Sequence, residues 1–200
     1  NDGPYQDEGK HLALRDKEAL TPGPLDADII WMLDMKEACG IWCHDGAHSS
    51  ILIHGDHLYV NTGTGVDNTH RLIRRPEAPS LIVVDKLTGR YLAREDEQIS
   101  PNIFHATWSS PSFSKVDGHE QILFCGGNGI TYAFDPLAAG EPSKELLKLQ
   151  RRWRYDLDPG APKVKVHFFT QNKQEGPSNI YGMPVVANGK LFIAGGGDVF

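Results

Sequence analysis

The densest chemistry in this 200-residue sequence lies in one short run, Cys39-Gly40-Ile41-Trp42-Cys43-His44-Asp45-Gly46-Ala47-His48, which carries two thiols and two imidazoles. Four readings of it compete. A disulfide between Cys39 and Cys43 needs their Cα atoms within about 7 Å, which so short a loop allows. A metal site would use Cys39, Cys43 and His44, because thiolate and imidazole are the donors zinc prefers, although the usual second ligand pair is missing. Covalent haem attachment needs Cys-x-x-Cys-His, and here one extra residue separates the cysteines. The fourth reading is two unpaired, partly buried thiols. The remaining cysteine, Cys125, stands at the Gly-rich end of an apolar run and is expected as a small core residue.

Other chemistry is sparse. Asp67, Asn68 and His70 could form a cation site, but Asp and Asn in a loop are mostly turn formers. Glu95-Asp96-Glu97 reads as a solvated turn. The sequence holds no Gly-x-Ser-x-Gly elbow, phosphate loop or paired zinc knuckle. The glycines at 126–129 and 195–197 close hairpins and do not open helices, which excludes dinucleotide binding there. A net charge of −6, with Lys and Arg dispersed, excludes a nucleic-acid footprint, which needs a basic face. The cluster Lys144 to Arg154 reads as a solvated surface. No apolar run approaches the ~20 residues of a spanning helix, so no transmembrane segment is expected.

The elements that must position these residues follow from one pattern written three times. An apolar strand, a polar turn and a second apolar strand run into glycines. The copies are Ile51-Leu52-Ile53, Gly55-Asp56, Leu58-Tyr59-Val60 to Gly63-Thr64-Gly65; Ser110-Pro111 through Asp117-Gly118 and Ile122-Leu123-Phe124 to Gly126; and Val185-Val186, Asn188-Gly189, Leu191-Phe192-Ile193 to Gly195. Two further runs complete each unit. Leu81-Ile82-Val83-Val84 is closed by the turn Asp85-Lys86-Leu87-Thr88-Gly89, and Ile130-Thr131-Tyr132-Ala133-Phe134 is followed by Asp135-Pro136. Repeated four-stranded antiparallel units, A to D, are the blades of an all-β propeller.

The expected organisation is an irregular arm over residues 1–28, with a short helix near His11 to Leu20, then a partial propeller over 29–200. Within it, 29–35 is expected as the last strand of one blade, 49–96 and 107–158 as complete blades, and 182–200 as half a blade. The insert from Ser143 to Arg152 reads as one or two helical turns. Trp31 and Trp153 recur at matching strand-D positions and read as packing between blades. A half-blade would leave an unpaired edge, so the chain is expected to belong to a longer polypeptide or a larger complex.

These residues resemble the PQQ-like, or quinoprotein-type, β-propeller repeat. The resemblance is carried by the Leu81–Gly89 and Tyr132–Pro136 signatures after Gly-rich strand ends, and by the runs Asp28–Met35 and Trp108-Ser109-Ser110-Pro111. It implies a seven- or eight-bladed ring, usually exported, hence a periplasmic or extracellular location. Some relatives are calcium-dependent quinone dehydrogenases, which hold PQQ with a disulfide between adjacent cysteines and a stacking Trp. Others use the blades purely as a binding or assembly scaffold. This chain has no adjacent Cys pair, so a scaffold without cofactor is the expected function. A PQQ–calcium or haem c oxidoreductase is the alternative. An exported protein also favours the Cys39–Cys43 disulfide among the four readings.

In a propeller the D-to-A and B-to-C connections line one mouth of the central channel. On that mapping His44, His48, His105, Trp108, Asn179 and Tyr181 would converge on one funnel, able to take a small ligand or a protein partner. The competing reading is that they hydrogen-bond neighbouring blades.

Overall fold

In the computed structural model, residues 5–15, 17–44, 49–140, 143–171 and 179–196 are described. Two short helices come first, α1 (Glu8–Leu12) and α2 (Met35–Cys39). The first complete unit is β1 (Leu52–His54), β2 (His57–Asn61), β3 (Leu81–Asp85) and β4 (Tyr91–Arg94), paired in sequence order and antiparallel. The second is β5 (Ser112–Val116), β6 (His119–Cys125), β7 (Ile130–Phe134) and, after a two-residue β8 (Leu147–Lys148), β9 (Arg151–Asp156). A short pair, β10 (Asn179–Ile180) with β13 (Gly195–Gly196), flanks the hairpin β11 (Val185–Ala187) and β12 (Lys190–Phe192). The fold is mostly β, built of four-stranded antiparallel blades.

The repeated turns explain why the three hairpins form. Asp117 and Gly118 have φ of 48° and 80°, and Asn188 and Gly189 have 50° and 69°. Two positive φ values in succession give the turn whose twist matches paired strands. At the first hairpin only Gly55 is positive, at 60°, the related two-residue turn with glycine leading. Between β3 and β4 the Asp85 carboxylate accepts from Leu87 N–H, Thr88 N–H and the Thr88 hydroxyl at 3.0, 2.7 and 2.8 Å. Both blades carry a bulge at the same step, Val83/Val84 against β4 and Ala133/Phe134 against β9.

Successive side chains of a strand face opposite sides, and in β3 both sides are covered, so its apolar residues run without alternation. Leu81 and Val83 join Tyr59, Ile122, Phe124, Tyr132 and Phe134 in a core shared by the two blades. Ile82 and Val84 face a second core with Leu58, Cys39 and Ile41, against which Trp31 packs.

Three expectations are corrected. Residues 29–34 form no strand, because the Asp34 carboxylate accepts from Lys36 N–H and Glu37 N–H and starts α2 instead. Trp31 packs against the second core of the first unit and donates its indole N–H to Lys86 O at 3.0 Å. The insert at 143–152 is not helical. It carries β8, which pairs parallel with β4 of the preceding blade, and then turns into β9. The helix of the N-terminal arm covers Glu8–Leu12 and does not reach Leu20.

Candidate functional site

The segment leading into each unit crosses the glycines that end its second strand. Cys43 bridges Thr64, Phe104 N–H donates to Gly127 O at 3.2 Å, and Ile180 pairs with Gly195. The second lead-in is also gripped by the first blade. Gly65 bridges Ala106, and Val66 N–H donates to His105 O at 2.8 Å. Glycine is required here by space. A β-carbon at Gly65 would lie 2.6 Å from the His44 Cβ and 2.7 Å from His105 O, and one at Gly127 would lie 2.1 Å from Ala106 O. The glycines that look like strand ends therefore let the lead-ins pass close enough to bring their side chains together.

What they bring together is a row of rings. His44 and His105 meet Nε2 to Nε2 at 2.7 Å. His70 stands edge-on to both, with centroids at 5.1 and 4.5 Å. His105 stacks on Trp108 at 5.4 Å, and Trp108 lies 4.8 Å from Tyr181. The row thus runs from the first lead-in through the 66–79 insert and the second lead-in to the third. His44 is buried, His70, His105 and Trp108 are half-buried, and Tyr181 is 53% exposed.

Of the residues proposed from sequence, His44, His105, Trp108 and Tyr181 lie in this row. His48 lies outside the described residues. Asn179 is buried in β10, and its Oδ1 has no hydrogen-bond partner among the described residues. The cysteine set is not assembled. Cys39, Cys43 and Cys125 are all free, so the expected Cys39–Cys43 disulfide is not formed in this structure. Cys39 lies in the second core, where burial pushes its thiol up to about 11 despite nearby Arg94. A thiol of that kind is protonated at neutral pH. Cys43 is exposed while the adjacent His44 is buried, as alternation along an extended chain dictates. Cys125 is buried, with its Sγ 3.3 Å from the Thr131 hydroxyl.

His70 is the residue that reading by motif passes over. Its spacing groups it with Asp67 and Asn68, yet its ring partners are His44 and His105. Asp67 does form the turn: its Oδ1 accepts from Thr69 N–H and the Thr69 hydroxyl at 3.0 and 2.6 Å, and Oδ2 pairs with Arg74 at 3.2 Å. Arg74 in turn lies 4.9 Å over the Trp42 ring. The insert is thereby pinned to the lead-in that carries His44. The signal available in the sequence was topological, since B-to-C and D-to-A connections share one mouth of a propeller. One imidazole nitrogen from each of His44, His70 and His105 lies within 4.8 Å of the other two, a donor set suited to a transition-metal ion.

No protein-family model matches the chain, and no curated protein matches it. Among solved structures it is similar to BamB from Moraxella catarrhalis, with 18% identity and a TM-score of 0.45, over 74% of this chain and 34% of that one. The chain spans about a third of the length of that structure. No helix of the described residues is long and apolar enough to cross a membrane.

Proposed function

We propose that the chain contributes blades to an exported propeller that acts as a binding and assembly scaffold, and that a protein partner or small ligand is met at the ring row. One observation supports this most: side chains from three successive lead-ins and one insert converge into a continuous row that ends in an exposed Tyr181. Exposed aromatic side chains backed by rigid backbone are favoured contact residues, because they bury much area for little lost conformational freedom. Each lead-in is held by backbone pairing to the strand end of its own unit, and the second also to the first blade, so the row is organised before anything binds.

A photo-crosslinking residue at Tyr181 in the full-length protein, expressed in its own host, should give adducts that the same residue at exposed Lys115 does not. Trp108→Ala introduced beside it should remove those adducts with far-UV circular dichroism unchanged. Equal labelling from both positions, or adducts indifferent to Trp108→Ala, would sink the scaffold reading at this row. A quinone or haem absorbance in the purified protein would favour an oxidoreductase instead.

A further inference from the structure

We propose that His44, His70 and His105 form a binding site for one divalent transition-metal ion of the zinc type. The inference stands on the geometry of these residues alone and does not depend on the scaffold reading. Three imidazoles are donors that zinc, copper and nickel ions favour over magnesium or calcium, which take oxygen ligands. One nitrogen from each already lies within 4.8 Å of the other two, although the residues come from three separate stretches of chain.

Two further observations point the same way. His70 has φ of 58°, a left-handed conformation that is unfavourable for a residue with a β-carbon. Such strain persists where the surroundings hold it, and it clusters at binding sites. Here it is held by His70 N–H donating to Asp67 O at 2.8 Å, and it places the imidazole edge-on to the other two. Second, the close approach of His44 to the second lead-in depends on Gly65, where any β-carbon would strike both His44 and the His105 backbone. A side chain at position 65 would push apart the two segments that carry these imidazoles.

The Nε2–Nε2 distance of 2.7 Å between His44 and His105 is that of a hydrogen bond. Two ligands of one tetrahedral zinc, each about 2.0–2.1 Å from the metal, stand roughly 3.3 Å apart. Loading therefore replaces the imidazole–imidazole hydrogen bond, opening that pair by about half an ångström while His70 turns inward. A three-imidazole set leaves the fourth tetrahedral position for water or an incoming ligand. Because the ion would join the insert to both lead-ins, it would also stiffen the row.

The test uses the full chain stripped with chelator and titrated with Zn²⁺ alone, against a chromophoric competitor, and with Co²⁺ as a spectroscopic substitute. One ion per chain is expected, with visible absorbance characteristic of tetrahedral Co²⁺. His70→Gln, on the half-exposed insert, should weaken Zn²⁺ binding roughly 100-fold or more, since even losing groups that only orient a ligand costs 10–100-fold. His105→Gln should do the same, while His119→Gln in the β5–β6 hairpin should not. Circular dichroism of His70→Gln must match the wild type. Less than one ion per chain, or affinity unchanged by His70→Gln, or an equal loss in His119→Gln, would overturn the site. Loss of Zn²⁺ binding with Tyr181 crosslinking intact would leave the scaffold reading standing, and the converse would leave the metal site standing.

Discussion

The indole of Trp31 lies against Gly89 so closely that a β-carbon there would sit 2.5 Å from the ring. Gly89 also has φ of 72° and closes the turn that Asp85 organises. Gly89→Ala should therefore destabilise twice, by about 1–2 kcal/mol for the left-handed backbone and by about 1–3 kcal/mol for the displaced ring. In a Trp31→Ala background only the backbone share should remain. Urea denaturation of the four-member cycle measures the coupling, and additive losses would show that the ring and the glycine do not meet.

Asn61 fastens the first blade to the second lead-in. Its Nδ2 donates to Thr107 O and Ser109 O at 2.9 and 2.8 Å, and its Oδ1 accepts from Gly63 N–H at 2.9 Å, all buried. Asn61→Ala should cost about 2–4 kcal/mol, because one substitution strands three buried backbone groups. Asn61→Asp should cost more, since it turns an acceptor toward two carbonyls. The urea midpoints should fall in that order.

The hairpins were legible because their turns carry residues that tolerate positive φ, and the Leu81–Val84 run was legible because both its faces are buried. Other features were decided outside the local sequence. Ile29–Leu33 is apolar enough for a strand, but the Asp34 cap on α2 wins. Leu147-Lys148 carries no strand signal at all, and its pairing with β4 is a tertiary event. The ring row was partly legible through the repeat register. The meeting of His70 with His44 and His105 was not, because it depends on how the insert folds back through Asp67 and Arg74.

Asp85 gives the acid side of the stability profile a defined sign. Burial alone would raise its carboxyl, but the bonds from Thr88 and Leu87 outweigh it and hold the group below the usual carboxylate range. A carboxyl lowered in the folded state stabilises the fold above its unfolded value of about 3.9, and that contribution disappears as pH falls through the folded value. Asp85→Asn should lose about 1 kcal/mol at neutral pH and little more on acidification. The gap between wild type and variant should close below about pH 4. A gap that widens in acid would contradict the assignment.

The strap between β7 and β9 links the two blades, and its role can be separated into two contacts. Leu137 N–H donates to the buried Tyr59 hydroxyl at 2.7 Å, where burial also raises the phenol pKa and keeps it protonated. Further along, Leu149 N–H donates to Arg94 O at 2.8 Å, and its side chain enters the core shared by both blades. Between these points β8 covers the outer edge of β4, an edge that would otherwise offer unpaired backbone groups to another chain. Tyr59→Phe removes one acceptor from a half-buried N–H and should cost only about 1 kcal/mol. Leu149→Ala removes the apolar anchor and should cost about 2–4 kcal/mol. If the strap is held chiefly by Leu149, its loss should speed hydrogen exchange in residues 91–95 well before residues 119–134, and increase self-association through the bared β4 edge. Uniform acceleration across both blades would mean that Leu149 stabilises only the common core and that the edge is protected by something else.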